Sequence, residues 1–361
     1  MRSWNQSSGG NCAVNRHVAN SRVANRRAAK RRRTHRTRLG LFETLEERRL
    51  LTLWTVTSLE DVVAQDGKLT LREAVIAASE NRIVNEATPA GSDSGLDEIR
   101  FASHLFDSGP ETITITPGSA SQNRGPLAIG NAPTGTAGPV SIEGPGRDES
   151  GNWLLTLDGN HQTGIATVRT DVAISGIAFE ESNGSAITNY QGASANLELK
   201  DTAFRGNRGT DGGAIRFVYG ELSISNSVFE GNEATGNGGA IYLEEPDLGT
   251  GQIRNVTAVL RNVAFVDNVA GAAGGAIDNQ GGELNLFDAS ITDNRATGHG
   301  GGIASFGAST AKIYDTLIRG NRSGFSGGGI YHQDSSGFDL TIGNSIVDSN
   351  SAANNGGGIA L

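Results

Sequence analysis

An aromatic or branched apolar residue recurs along this chain at Phe179, Phe204, Phe229, Phe265, Ile291, Ile318 and Val347, at intervals of 25, 25, 36, 26, 27 and 29 residues. Five residues before each anchor stands Ile174, Leu199, Ile224, Leu260, Leu286, Ile313 or Ile342, always apolar. Three before it stands a turn former: Gly176, Asp201, Asn226, Asn262, Asp288, Asp315 or Asn344. Three after it, from the second anchor on, stand Asn207, Asn232, Asn268, Asn294, Asn321 and Asn350. Each Asn is followed by Gly-Gly-Ala or Gly-Gly-Gly and then Ile215, Ile241, Ile277, Ile303, Ile330 or Ile359. A unit this short cannot bury its apolar face alone, so the units must stack on one another.

The apolar pattern inside each unit decides how they stack. Runs such as Leu222-Ser223-Ile224-Ser225 alternate with period two, the mark of short strands, and no helix of ten residues fits between them. A unit of about 25 residues with three turns wraps once, and the next coil lies ~4.8 Å above it. Equivalent residues then form columns: the anchors Phe179 to Val347 become a core stack, and the Asn series becomes a structural ladder of stacked amides. Asn also tolerates the left-handed turn conformation, and Gly-Gly fits where a side chain would clash. Parallel crossovers are right-handed almost without exception. The expected fold is therefore all-β, a right-handed parallel β-helix over residues 99–361. The long interval carries a turn-rich insertion, Glu244-Glu245-Pro246-Asp247-Leu248-Gly249-Thr250-Gly251, that would bulge from one coil. Weaker coils are expected around Ile113–Thr116, Leu127–Ile129, Val140–Gly144 and Leu154–Asn160.

The N-terminal third reads differently. Residues 1–38 hold eleven Arg or Lys and no acid, which leaves 19 bases against 39 acids in the remainder. A basic arm, expected to be disordered, thus precedes an acidic body that repels polyanions, so no nucleic-acid partner is expected. The single cysteine, Cys12, can build neither a disulfide framework nor a thiolate metal site. No apolar run approaches the ~20 residues of a transmembrane span. Thr70 with Glu73 forms a capping box, and Leu71, Ala74, Val75 and Ala78 share one helical face. A short helix over Thr70–Asn81 would cover the raw edge of the first coil.

Three resemblances accompany this pattern. Leu45-Glu46-Glu47-Arg48-Arg49-Leu50-Leu51, after the Arg-rich leader, resembles the LEPR-x-LL type of motif near the N-termini of large exported planctomycete proteins, with Glu47 where that motif often has Pro. Thr70-Leu71-Arg72-Glu73-Ala74 resembles the CSLREA domain that precedes β-helices in bacterial surface proteins, with Leu69 in place of its Cys. The F-x-x-N…G-G-A-I pattern, as in Phe204, Asn207 and Gly212-Gly213-Ala214-Ile215, resembles the repeats of chlamydial polymorphic outer-membrane proteins across residues 172–361. These resemblances imply three segments: a targeting arm over 1–53, a capping segment over 54–98 and the β-helix over 99–361. They also imply export and surface display. A membrane β-barrel like that of the chlamydial proteins has no counterpart in this sequence.

Enzyme chemistry is the rival, because many β-helices of the pectin-lyase-like class cleave polysaccharides. Glycoside hydrolysis needs two carboxylates at a set separation. Gly298-His299-Gly300 with Asp293 is similar to the Gly-His-Gly of β-helical polygalacturonases, but their adjacent Asp-Asp pair is absent and sister coils carry Asn237, Ala273, Ser326 and Asn355 at the His299 position. The outward acids Glu180, Glu181, Glu230, Glu244 and Glu245 read as a solvated acidic face, without the dense D-x-D-x-D spacing of a cation loop. Arg72 and Glu73 are adjacent helix residues that diverge. The Gly-Gly pairs are never followed by Gly-Lys-Ser/Thr, so no phosphate loop exists. No catalytic, cofactor-binding or metal-ligating set is assigned, and no cofactor is expected. The sequence thus points to an exported cell-surface or extracellular scaffold, adhesin-like, whose partner is an extracellular polysaccharide or another surface protein. The alternative is a β-helical polysaccharide lyase or glycoside hydrolase acting on acidic or sulfated polysaccharide. Ile359 near the end of the chain is a core-column residue with no covering element after it, so self-association through the C-terminal coil is also expected.

Overall fold

The structure, a computed structural model, describes residues 52–85, 95–119, 123–130, 137–189, 195–244, 256–307, 309–334 and 339–361. The basic arm, the Leu45–Leu51 motif and most of the insertion after Glu244 lie outside the described residues. The strands form three parallel sheets wound as a right-handed β-helix. A 15-stranded sheet contains the long strands Val172–Glu180, Leu197–Arg205, Gly220–Glu230 and Val256–Val266 and their successors. A six-stranded sheet of two-residue strands runs from Arg208–Gly209 to Ser351–Ala352. A nine-stranded sheet runs from Leu127–Ile129 to Ile359–Ala360.

Register turns the sequence periodicity into columns. Phe179, Phe204, Phe229, Phe265, Ile291, Ile318 and Val347 pair one to the next down the 15-stranded sheet. The four Phe rings stack face to face, with centroids 4.8, 4.7 and 4.9 Å apart and planes within 13° of parallel. The coil spacing of about 4.8 Å suits offset stacking of near-parallel rings, so one Phe per coil fills the column. The nine-stranded sheet supplies the facing column Ile187, Ile215, Ile241, Ile277, Ile303, Ile330 and Ile359. The core lies between these columns.

The left-handed backbone sits one residue away from where the sequence implied. None of the ladder asparagines has positive φ; instead the residue before each does, at Gly206, Gly231, Asp267, Asp293, Gly320 and Ser349. The turn-former position three before the anchor is also left-handed, from Gly176 and Asp201 to Asn344. The preceding residue makes the turn so that the Asn side chain points inward. The Gly-Gly element divides its labour: the first glycine has φ of +61 to +70° at Gly212, Gly238, Gly274, Gly300, Gly327 and Gly356. The second lies against the next coil, where a Cβ on Gly239 would come 2.1 Å from the Gly275 carbonyl oxygen. Only glycine allows that approach.

The parallel sheet also starts earlier than Ile99. Thr52–Val56 pairs in parallel with Asp97–Phe101, and Trp54 and Val56 are buried in the core. The helix Leu71–Glu80 carries the Thr70–Glu73 capping box and lies against Leu127–Ile129, Asp97–Phe101 and Thr52–Val56. Arg72 is buried in a bidentate pair with Asp61 at 2.6 and 2.8 Å and donates to the Gly125 carbonyl. Glu73 accepts from the Thr70 and Ala64 amides. Both side chains therefore hold the cover on the coil.

Candidate functional site

The Asn column builds a continuous internal chain of hydrogen bonds. Asn207, Asn232, Asn268 and Asn294 each donate their backbone N–H and Nδ2 to the Oδ1 of the next Asn, at 2.9–3.2 Å. Asn321 donates to Asn350 in the same way at 2.9 Å. Each Nδ2 also reaches back to the carbonyl of the anchor one coil earlier, as Asn232 does to Phe204 and Asn268 to Phe229 at 3.0 Å. The ladder ties the turn to the aromatic stack. It faces inward and leaves no group for a ligand.

The outward acids are engaged in ion pairs between coils. Arg205 bridges Glu180 at 3.0 Å and Glu230 at 3.3 Å, and His161 lies 3.0 Å from Glu181. Glu244 pairs with Arg216, while Glu245 lies outside the described residues. Lys312 lies 2.7 Å from Glu283, and its hydrogen bond lowers the Glu283 pKa while raising that of Lys312. These pairs are largely solvated, so Arg205→Ala should shift stability by less than about 1 kcal/mol. Denaturant midpoints at low and high salt would check this; a larger loss would mean the bridge is structural.

His299 is drawn into a different setting. It precedes Gly300, and its ring lies 4.0 Å from the Tyr331 ring, 4.9 Å from Phe325 and 6.3 Å from Phe306. Phe306 and Tyr331 are themselves 5.3 Å apart. The imidazole Nδ1 is shielded without a hydrogen-bond partner, and burial lowers the His299 pKa. Asp293, by contrast, occupies the left-handed turn position before Asn294.

Beside these rings lies a residue that the sequence did not single out. Arg216, Tyr242, Asp278, Ala304 and Tyr331 form one outward column of the nine-stranded sheet. Asp278 alternates with inward-facing Ile277, yet it is 0% exposed. Its Oδ1 accepts from Gln280 Nε2 at 2.7 Å, and its Oδ2 has no hydrogen-bond partner. Burial pushes its pKa up to about 7, with the Asp211 charge adding to the shift against the Gln280 hydrogen bond. Burial likewise raises the Tyr242 phenol, reinforced by Glu244, Asp278 and Asp211. A buried carboxyl with a perturbed pKa and one unpaired oxygen marks a functional-site candidate.

Elsewhere, a groove of about 360 Å³ is lined by Arg147, Trp153, Lys200 and Asp201, and the Arg147 guanidinium lies 4.1 Å over the Trp153 ring. A second, of about 290 Å³, runs along Arg295 and Arg322. Among the described residues, no cluster of His, Cys, Asp or Glu is placed to hold a metal ion, and no helix is long and apolar enough to cross a membrane.

With this geometry in place, comparison with known proteins gives one family match: residues 226–244 match the Chlamydia polymorphic membrane protein repeat. The matched stretch is one coil, carrying Phe229, Asn232, Gly238-Gly239-Ala240-Ile241 and Tyr242. Neither the curated proteins nor the solved structures yield a match to the chain.

Proposed function

We propose that this protein is an exported β-helical scaffold of the cell surface or extracellular matrix, adhesin-like, that presents its outer faces to a glycan or to another surface protein. The observation that carries the reading is the coil 226–244, which matches a repeat of membrane-displayed chlamydial proteins and stands in register with coils before and after it. The Leu45–Leu51 motif after the basic leader supports export on the same side of the argument. Brief protease treatment of intact producing cells tests it. Loss of the full-length chain while cytoplasmic markers survive is the expected result, and a chain protected until lysis would overturn the reading.

A second reading, a β-helical polysaccharide lyase or hydrolase, is favoured by one observation. Asp278 is a fully buried carboxyl whose pKa burial pushes up to about 7, in the range a general acid uses. Incubation with a polysaccharide panel separates the two. Retention of the protein without release of soluble fragments is expected for a scaffold, and new reducing or unsaturated ends would mark an enzyme.

A further inference from the structure

Arginines on the outer faces of the coils stand opposite acids. Arg100 is in register with Glu143, Arg205 with Glu180 and Glu230, Arg208 with Glu233, and Arg319 with Asp348. All four make the matching ion pair. The six-stranded sheet departs from this pattern. Its outward column reads Arg208, Glu233, Val269, Arg295, Arg322 and Ser351, so Arg295 lies directly opposite Arg322, one coil away. Coils ~4.8 Å apart set the two positive side chains next to each other, which costs stability where nothing compensates it. Val269 and Ser351 flank the pair and cannot neutralise it. Among the described residues, neither guanidinium has a carboxylate within ion-pair distance.

The same pair borders a groove. Both arginines are exposed, alternating with buried Ala296 and Ser323, and the space of about 290 Å³ runs along them. Gly324 keeps that space open. A Cβ there would meet the Thr297 carbonyl oxygen at 2.2 Å, so the packing of the two coils excludes a side chain at this position. Ser351 and Ala353, on the next coil, are small. No acid lines the groove, whereas Glu143 and Asp201 both line the one beside Arg147. An uncompensated cationic pair at an open, acid-free groove of an otherwise acidic body is a site for an anion.

The chemistry of the pair selects which anion. A guanidinium binds oxyanions through a planar fork of parallel N–H groups. A carboxylate offers a single O–O edge, which one fork fills. A sulfate ester offers three, so two adjacent forks can each take one. The acidic body opposes long runs of negative charge, but its repulsion is screened beyond about 8 Å at physiological salt. An isolated sulfate on an uncharged sugar meets that repulsion least. We propose that Arg295 and Arg322 form a subsite for a sulfate ester on a sparsely sulfated extracellular glycan. This assignment rests on the surface-scaffold reading and gives that scaffold a ligand class.

The test uses the full chain at physiological salt, titrated with a κ-carrageenan hexasaccharide, its desulfated counterpart, hexagalacturonate and mannopentaose phosphate. The basic arm adds a background common to every variant, so the reading is the difference between variants. The sulfated hexasaccharide should bind most tightly. Arg295→Gln and Arg322→Gln should each weaken it about tenfold or more, Arg322→Lys should recover only part of the loss, and the charge-matched Arg205→Gln should leave it unchanged. Arg322→Gln should also melt no lower than wild type, since it removes a like-charge contact. The proposal is overturned if the sulfated sugar does not bind, or if its desulfated form, hexagalacturonate or mannopentaose phosphate binds as tightly. It is equally overturned if Arg205→Gln matches the Arg295 and Arg322 variants, or if Arg322→Gln melts several degrees lower, which would assign the pair to the fold. In each of those cases protease shaving of intact cells still reports independently on surface display.

Discussion

Asn268→Ala is expected to destabilise the coils by about 3 kcal/mol, against less than ~0.5 kcal/mol for Glu230→Ala. Asn268 is fully buried, and its Oδ1 accepts from both the Asn232 backbone N–H and Asn232 Nδ2. Its Nδ2 donates to the Phe229 carbonyl and to Asn294 Oδ1. Alanine removes all four contacts. The buried Asn232 N–H then has no acceptor, and the Phe229 carbonyl loses its amide donor. Each orphaned buried group costs roughly 1–3 kcal/mol, partly relieved where a neighbour shifts. Alanine keeps its own backbone N–H bond to Asn294, so the turn below survives. Glu230, in contrast, is exposed and loses one solvated contact to Arg205 at 3.3 Å. Paired denaturant midpoints would check the difference. Equal shifts for the two variants would mean that the ladder contributes nothing beyond local turn geometry.

The columns were legible in the sequence because stacking makes each coil repeat the demands of the last. A Phe at one anchor needs a flat apolar neighbour 4.8 Å away, and the next anchor supplies it. The left-handed positions were less legible. Both a ladder Asn and the residue before it are common turn formers, and only the backbone shows that Gly206, Gly231 or Asp267 makes the turn while Asn points inward. The start of the sheet at Thr52 was hidden by sequence distance. The alternation in Thr52–Val56 is plain, but its partner, Asp97–Phe101, lies beyond the helix. The candidate site was hidden for a different reason. Outward positions vary freely between coils, so Arg216, Tyr242, Asp278, Ala304 and Tyr331 look like surface noise along the chain. Aligning the coils on Ile215, Ile241, Ile277, Ile303 and Ile330 puts them in one column, where an Asp between a Tyr and an Ala is conspicuous. Its burial could not be read at all, since packing between coils sets it.

Asp278→Asn should stabilise the protein at and above neutral pH, by as much as about 4 kcal/mol, and leave it nearly unchanged near pH 4. In the unfolded chain this carboxyl titrates at 3.8, and in the fold burial moves it to about 7. Below pH 3.8 both states hold the proton and the group costs nothing. Between 3.8 and 7 the folded state binds the proton and the unfolded state has released it. Stability therefore falls as pH rises through that window and stays low above it. The ceiling follows from a shift of about three units at 1.36 kcal/mol each; relaxation and water entry make the measured value smaller. Asparagine keeps the shape and the Oδ1 acceptor for Gln280 but cannot ionise. His299 shifts the other way: its lowered pKa weakens the fold as pH drops below 6.5. That contribution is common to wild type and variant, so it cancels in their difference. Unfolding midpoints of the two proteins from pH 4 to 8 would give the difference directly. A gap that widens with pH and levels off near 7 is expected, and a gap independent of pH would mean that Asp278 is hydrated and not held in a dry site.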